Sequence, residues 1–134
     1  MQPMAKTDSD KTRTVLPAAK PGSLDDLGTR LVLPQAAGRL VVVGGPRDGT
    51  VFSVTHSTSL IGRDRKNNIV LGWDDSVHRD EHAALEWRDN RFTLRDLQGR
   101  NPVLVNGRQI THPTELRLGD EITIGTTILR LSAP

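Results

Sequence analysis

From Arg39 to the C-terminus, short apolar-rich runs alternate with turn-forming residues, and within the runs the period is two. RFTLRDL (91–97) shows it most clearly, with Phe92 and Leu94 falling on one face of a strand. Ala83, Leu85 and Trp87 alternate in the same way with Ala84, Glu86 and Arg88. RLVVVGG (39–45) reads as a strand ended by glycines, and PRDGTVFSVT (46–55) as a turn at Asp48-Gly49 followed by a strand. STSLIGR (57–63) and the short NNIVLG (67–72) are further strands. NPVLVNGRQI (101–110) places Asn106-Gly107 between two short runs, the strongest local signal for a hairpin. LGDEITIGTTILRLS (118–132) is two alternating strands joined around Gly125. Many short strands at this spacing, with almost no helical periodicity, predict an all-β sandwich or barrel.

Residues 1–38 have a different texture, rich in Thr, Pro, Ala, Asp and Lys and without sustained periodicity. The expected organisation is a disordered tail over 1–38 and a β-domain over 39–134, with the apolar patch TRLVLPQ (29–35) able to dock on the domain. The 134 residues suit one domain with a modest core. The absence of cysteine excludes disulfides and thiolate metal sites. No apolar run approaches the ~20 residues that span a bilayer, and the N-terminus shows no continuous apolar core of a secretory signal. A cytoplasmic monomer is therefore expected, with no membrane partner. Net charge is only +2, with acids and bases interleaved, and Phe52, Trp73, Trp87 and Phe92 are the only aromatics. Neither feature suits a nucleic-acid surface.

The segment SVHRDEHAAL (76–85) contains H-x-x-E-H, a pattern found in one class of zinc metalloprotease. That chemistry needs a helix with an apolar face, whereas the residues after His82 alternate with period two. On a strand rising ~3.3 Å per residue, His78 and His82 would lie some 13 Å apart, too far to share one zinc. His56 and His112 are isolated, and no nucleophile–base pair, phosphate-binding glycine loop or paired carboxylates stand in a plausible setting. No metal, cofactor or catalytic residue is expected, and the chain is not read as an enzyme.

Taken in order, Ile61-Gly62-Arg63, NNIVL, SVHRDEHAAL, RFTLRDL, NPVLVNG and LRLGDEITIG resemble the successive motifs of a forkhead-associated (FHA) domain. The resemblance covers roughly the last two-thirds of the chain. It implies a two-sheet β-sandwich of the SMAD/FHA type whose loops at one end bind phosphothreonine peptides. A phosphothreonine carries about −1.5 to −2 charge and three acceptor oxygens, so its reader needs a guanidinium and fixed donors. Arg63 matches the family's phosphate-facing arginine, and Gly62 is expected to allow the bend that presents it.

The next segment departs from the pattern Ser-Arg. Aligned on His82, Arg79 and Asp80 replace the pair, and Asp80 would add a repulsive carboxylate. Aligned on the apolar Val77, with one extra residue before His82, His78 replaces Ser and Arg79 matches Arg. The second alignment is preferred. A histidine can donate in place of the serine, more strongly when protonated. His82 is expected to brace the loop by hydrogen bonding. Asn101 matches the asparagine that contacts the peptide backbone, but Pro102 and Val103 stand where Gly and Thr are usual, and Arg100 is a candidate replacement charge. Asn106 and Gly107 are expected to form a structural turn. Two functions follow. One is a phosphothreonine-binding signalling adaptor whose partner is a phosphorylated protein or peptide, such as the substrate of a Ser/Thr kinase. The other is a scaffold of the same fold that binds proteins without phosphate dependence.

Thr12 and Thr14 are candidate phosphorylation sites, because the resemblance extends to small proteins whose phosphorylated tail folds back into the site. Thr14 lies about 25 residues before Arg39, and at ~5–6 Å × √n this linker reaches roughly 25–30 Å, the scale of the domain itself. A tethered ligand would then be present at an effective concentration on the order of millimolar. Phosphorylation at Thr12 or Thr14 is thus expected to shift the domain's NMR resonances and to weaken binding of an external phosphopeptide. Identical spectra and undiminished external binding would refute it.

Overall fold

The computed structural model describes residues 31–98 and 100–134. The expected tail, with Thr12 and Thr14, lies outside the described residues for nearly all its length. The described chain forms eleven strands and no helix. In chain order they are β1 (Gly38–Val42), β2 (Val51–Val54), β3 (Thr58–Gly62), β4 (Ile69–Val70), β5 (Ala83–Arg88) and β6 (Arg91–Asp96). There follow β7 (Leu104–Val105), β8 (Arg108–Gln109), β9 (Thr114–Leu116), β10 (Glu121–Ile124) and β11 (Thr127–Ser132). They pair into a six-stranded sheet, in the order β2-β1-β11-β10-β7-β8, and a five-stranded sheet, β4-β3-β5-β6-β9. Pairing is antiparallel except between β3 and β4.

The period-two runs are the strands, because alternation places one apolar set on the face each sheet turns toward the other. Leu40, Ile122, Leu129 and Leu131 from the larger sheet meet Ile61, Leu85 and Leu94 from the smaller in one core, all fully buried. β3 is buried along its whole length, consistent with a strand covered on both faces. Trp87 and Phe92 pair directly across β5 and β6, with ring centroids 4.4 Å apart. Asn106 and Gly107 form the two-residue turn of the β7–β8 hairpin, with φ of 51° and 83°, the left-handed pair that a type I′ turn requires. Asp89-Asn90 does the same between β5 and β6, with φ of 54° and 61°, a turn the sequence pattern did not announce because it contains no glycine.

Association with the domain begins upstream of Arg39. Leu33 N–H donates to the Thr55 carbonyl (2.8 Å), and Ser57 N–H donates to that of Leu31 (2.7 Å). The side chains of Leu31 and Val32 nevertheless stay 64% and 72% exposed. The segment 29–35, expected to dock through its apolar patch, is held at Leu31–Leu33 by backbone groups, one of them bonded to Ser57 Oγ, without burying the Leu31 and Val32 side chains.

Leu85→Ala is expected to cost about 2–5 kcal/mol of unfolding free energy, through lost burial and the cavity left behind. Val32→Ala should stay within about 0.5 kcal/mol of wild type. Urea denaturation of both variants checks this difference.

Candidate functional site

Three segments converge on a cleft of about 240 Å³: Arg63 after the end of β3, residues 75–79, and Gln98, Arg100 and Asn101 after β6. Backbone pairing sets their separation. Arg63 N–H donates to the His78 carbonyl (3.0 Å) and Asp64 N–H to that of Arg79 (2.9 Å). Gly62 is required here for space rather than for a bend: a Cβ at this position would lie 1.8 Å from the Asp80 carbonyl oxygen. The amide of Asn67 fastens the same corner by donating to the carbonyls of Asp64 (2.9 Å) and Asp80 (3.1 Å).

His82 is completely buried. Its Nδ1 accepts the His78 N–H (2.8 Å), so the neutral ring carries its proton on Nε2, which donates to the Asn101 carbonyl (3.0 Å). Gln98 Nε2 donates to the same carbonyl at 3.0 Å. One imidazole therefore joins two of the three segments. The 13 Å separation expected between His78 and His82 does not hold. The chain from His78 to His82 is a turn that folds back on itself, and β5 starts only at Ala83. With both ring nitrogens of His82 engaged within the protein, the H-x-x-E-H spacing serves the loop.

Asp74 is a second anchor, which the sequence pattern does not single out. It is buried, and its Oδ2 accepts from Thr126 N–H (2.8 Å), Thr126 Oγ1 (2.9 Å) and Thr127 Oγ1 (2.7 Å). Its Oδ1 accepts from Ser76 N–H (2.9 Å). Burial alone would push this carboxyl up; the hydrogen bonds from Thr127, Thr126 and Ser76 outweigh it and hold the group below its ordinary value.

The remaining side chains define the cleft's chemistry. Arg79 and Arg100 are exposed at its rim, and His78 is half-buried. His78 Nδ1 accepts from Asp80 N–H at 3.2 Å, which places the neutral ring's proton on Nε2 and makes that nitrogen a donor. Asp80 is not among the lining residues. Its carboxylate meets Lys66 Nζ at 2.7 Å, and this hydrogen bond lowers its pKa. His78 and Arg79 both line the cleft. Asn101 directs its side-chain N–H₂ to the Ser76 carbonyl (2.8 Å), cross-linking the loops. Val103, in the place of the usual threonine, is a fully buried core residue. Arg63, one-third exposed, reaches the carboxylate of Asp75 at 3.5 Å. Asp75 is the one acid among the lining residues, against three arginines, so the cleft is net positive.

A β-sandwich whose strand-end arginine, histidine-braced turn and asparagine loop meet in one cationic cleft is the architecture of the FHA domain. Residues 59–125 match that family's sequence signature, and the chain belongs to the FHA domain family. It is 33% identical over 104 residues to an oxoglutarate dehydrogenase inhibitor of Corynebacterium diphtheriae, covering 78% of this chain and 71% of that protein. Among solved structures, it is similar to the FHA domain of CT664 from Chlamydia trachomatis, with a TM-score of 0.65, 31% identity, and coverage of 72% and 97%. It is also similar to Mycobacterium tuberculosis EmbR in complex with a low-affinity phosphopeptide, with a TM-score of 0.66, 26% identity, and coverage of 74% and 25%.

Burial holds the His82 ring below the ordinary imidazole value, against the opposing pull of the Asn101 carbonyl. The unfolded chain then binds a proton more readily than the folded one from about pH 6.5 down to the depressed folded value. Stability is expected to fall as pH drops through that window. His82→Asn should be less stable at neutral pH and should lose this component of the pH dependence. Urea midpoints between pH 7.5 and 5.5 test it; equal slopes in the two proteins would refute it.

Proposed function

We propose that the chain is a phosphothreonine-peptide-binding module acting as a regulatory adaptor. The observation that carries this reading is the convergence of Arg63, Arg79 and Arg100 on one cleft whose walls are tied together by His82. A guanidinium is the group best matched to phosphate oxygens, and loop geometry held by buried hydrogen bonds spares the cost of ordering donors on binding. His78 Nε2 supplies the hydrogen bond that serine gives in the family pattern. The phosphopeptide complex of EmbR and the inhibitory role of the corynebacterial relative both accord with a module that acts by binding.

Titration of the chain with matched Thr and phospho-Thr peptides tests this reading. The phosphopeptide is expected to bind and its unmodified twin not to. Arg63→Ala should weaken phosphopeptide binding roughly ten- to hundredfold, the equivalent of about 1.5–3 kcal/mol for a charge-assisted contact. Its circular dichroism should be unchanged, because the side chain lies outside the core. Equal affinity for the two peptides would instead favour a phosphate-independent scaffold, and unchanged affinity in Arg63→Ala would remove the proposed site.

A further inference from the structure

Asp75 is hard to place in a cleft built for an anion. Its side chain is 99% exposed and packs on nothing, yet its Oδ1 lies 3.5 Å from Arg63 Nη1. An ion pair this exposed adds little to stability. Its position is nonetheless closely determined. Asp74, on one side, accepts four hydrogen bonds. Ser76, on the other, donates its N–H to Asp74 and accepts from Asn101 through its carbonyl. The backbone that carries Asp75 is therefore pinned at both neighbours, and Arg63 is pinned by its own N–H bond to His78.

Resting on the phosphothreonine reading above, we propose that Asp75 determines specificity by selecting phosphothreonines that have a lysine or arginine beside them. A phosphate with about −1.5 to −2 charge and three acceptor oxygens displaces a single carboxylate from Arg63. The released carboxylate stays at the rim, next to the phosphate, because its backbone cannot withdraw. A basic side chain adjacent to the phosphothreonine then re-pairs it, and one ion pair is exchanged for two. Without Asp75, the arginines at the cleft would repel such a flank, so a preference for basic neighbours has the opposite sign to the cleft's overall charge. The chain itself contains this chemistry in its sequence, where Lys11 and Arg13 flank Thr12.

The test compares two phosphopeptides spanning residues 8–16, phosphorylated at Thr12, one native and one with Lys11 and Arg13 replaced by Gln. Each is titrated into the full chain as wild type, Asp75→Asn and Glu115→Gln. Glu115 is exposed on β9, at the opposite edge of its sheet from β4, and controls for net charge. Wild type and Glu115→Gln are expected to bind the basic-flanked peptide about two- to fivefold more tightly, the range of an exposed ion pair. Asp75→Asn should lose or reverse this preference. Equal binding of the two peptides by wild type, or a preference that survives in Asp75→Asn, overturns the role of Asp75 while leaving phosphothreonine recognition standing. If the phosphopeptides bind no better than their unphosphorylated twins, both readings fall.

Discussion

The His82 ring is the constraint on which the rest of the site depends. A neutral imidazole presents one acceptor and one donor in the plane of a rigid ring, pointing outward in different directions. Here the acceptor takes the His78 amide and the donor meets the Asn101 carbonyl, so two loops far apart in sequence are held at a fixed distance inside the protein. No other uncharged side chain offers this pairing at this length and rigidity. Burial strengthens both bonds by excluding water, and it also makes the charged ring costly, because an imidazolium has no acceptor left for the His78 amide.

Around this junction the site separates into a frame and a working surface. The frame is buried or backbone-borne: Gly62 and Asn67 at the corner of β3, Asp74 on its threonines, Val103 in the core. The working surface is long and polar, with Arg79 and Arg100 exposed and Arg63 and His78 half-covered. The hydrogen bonds fix the backbone, while the guanidinium groups of Arg79 and Arg100 remain in water. The two departures from the family pattern fit this division. Val103 gives up a hydroxyl to gain core packing, and His78 keeps a donor at the cleft by lodging its other nitrogen on the Asp80 amide. Asp80 and Glu81, the acids that precede His82, face Lys66 instead of the cleft.

The sequence by itself determined the strands, the Asn106-Gly107 hairpin and the order of motifs that identifies the family. These are local properties. A period of two is forced by strand geometry, and a left-handed turn by the residues that tolerate it. Arg63, His78, Arg79, Arg100 and Asn101, the residues singled out from the motifs, line one cleft. Only the tertiary structure decided what ties them together. Asp74 finds its partners 52 and 53 residues away, and Asn101 reaches Ser76 across 25. Asp75 meets Arg63, and Asp80 meets Lys66, because loops fold together, with no periodicity to announce it. The backbone of Leu31 to Leu33 docks without burying the side chains of Leu31 and Val32. Hydrogen bonds between distant polar loops depend on where the chain returns in space, and polar residues in loops carry no repeating pattern from which that return could be read.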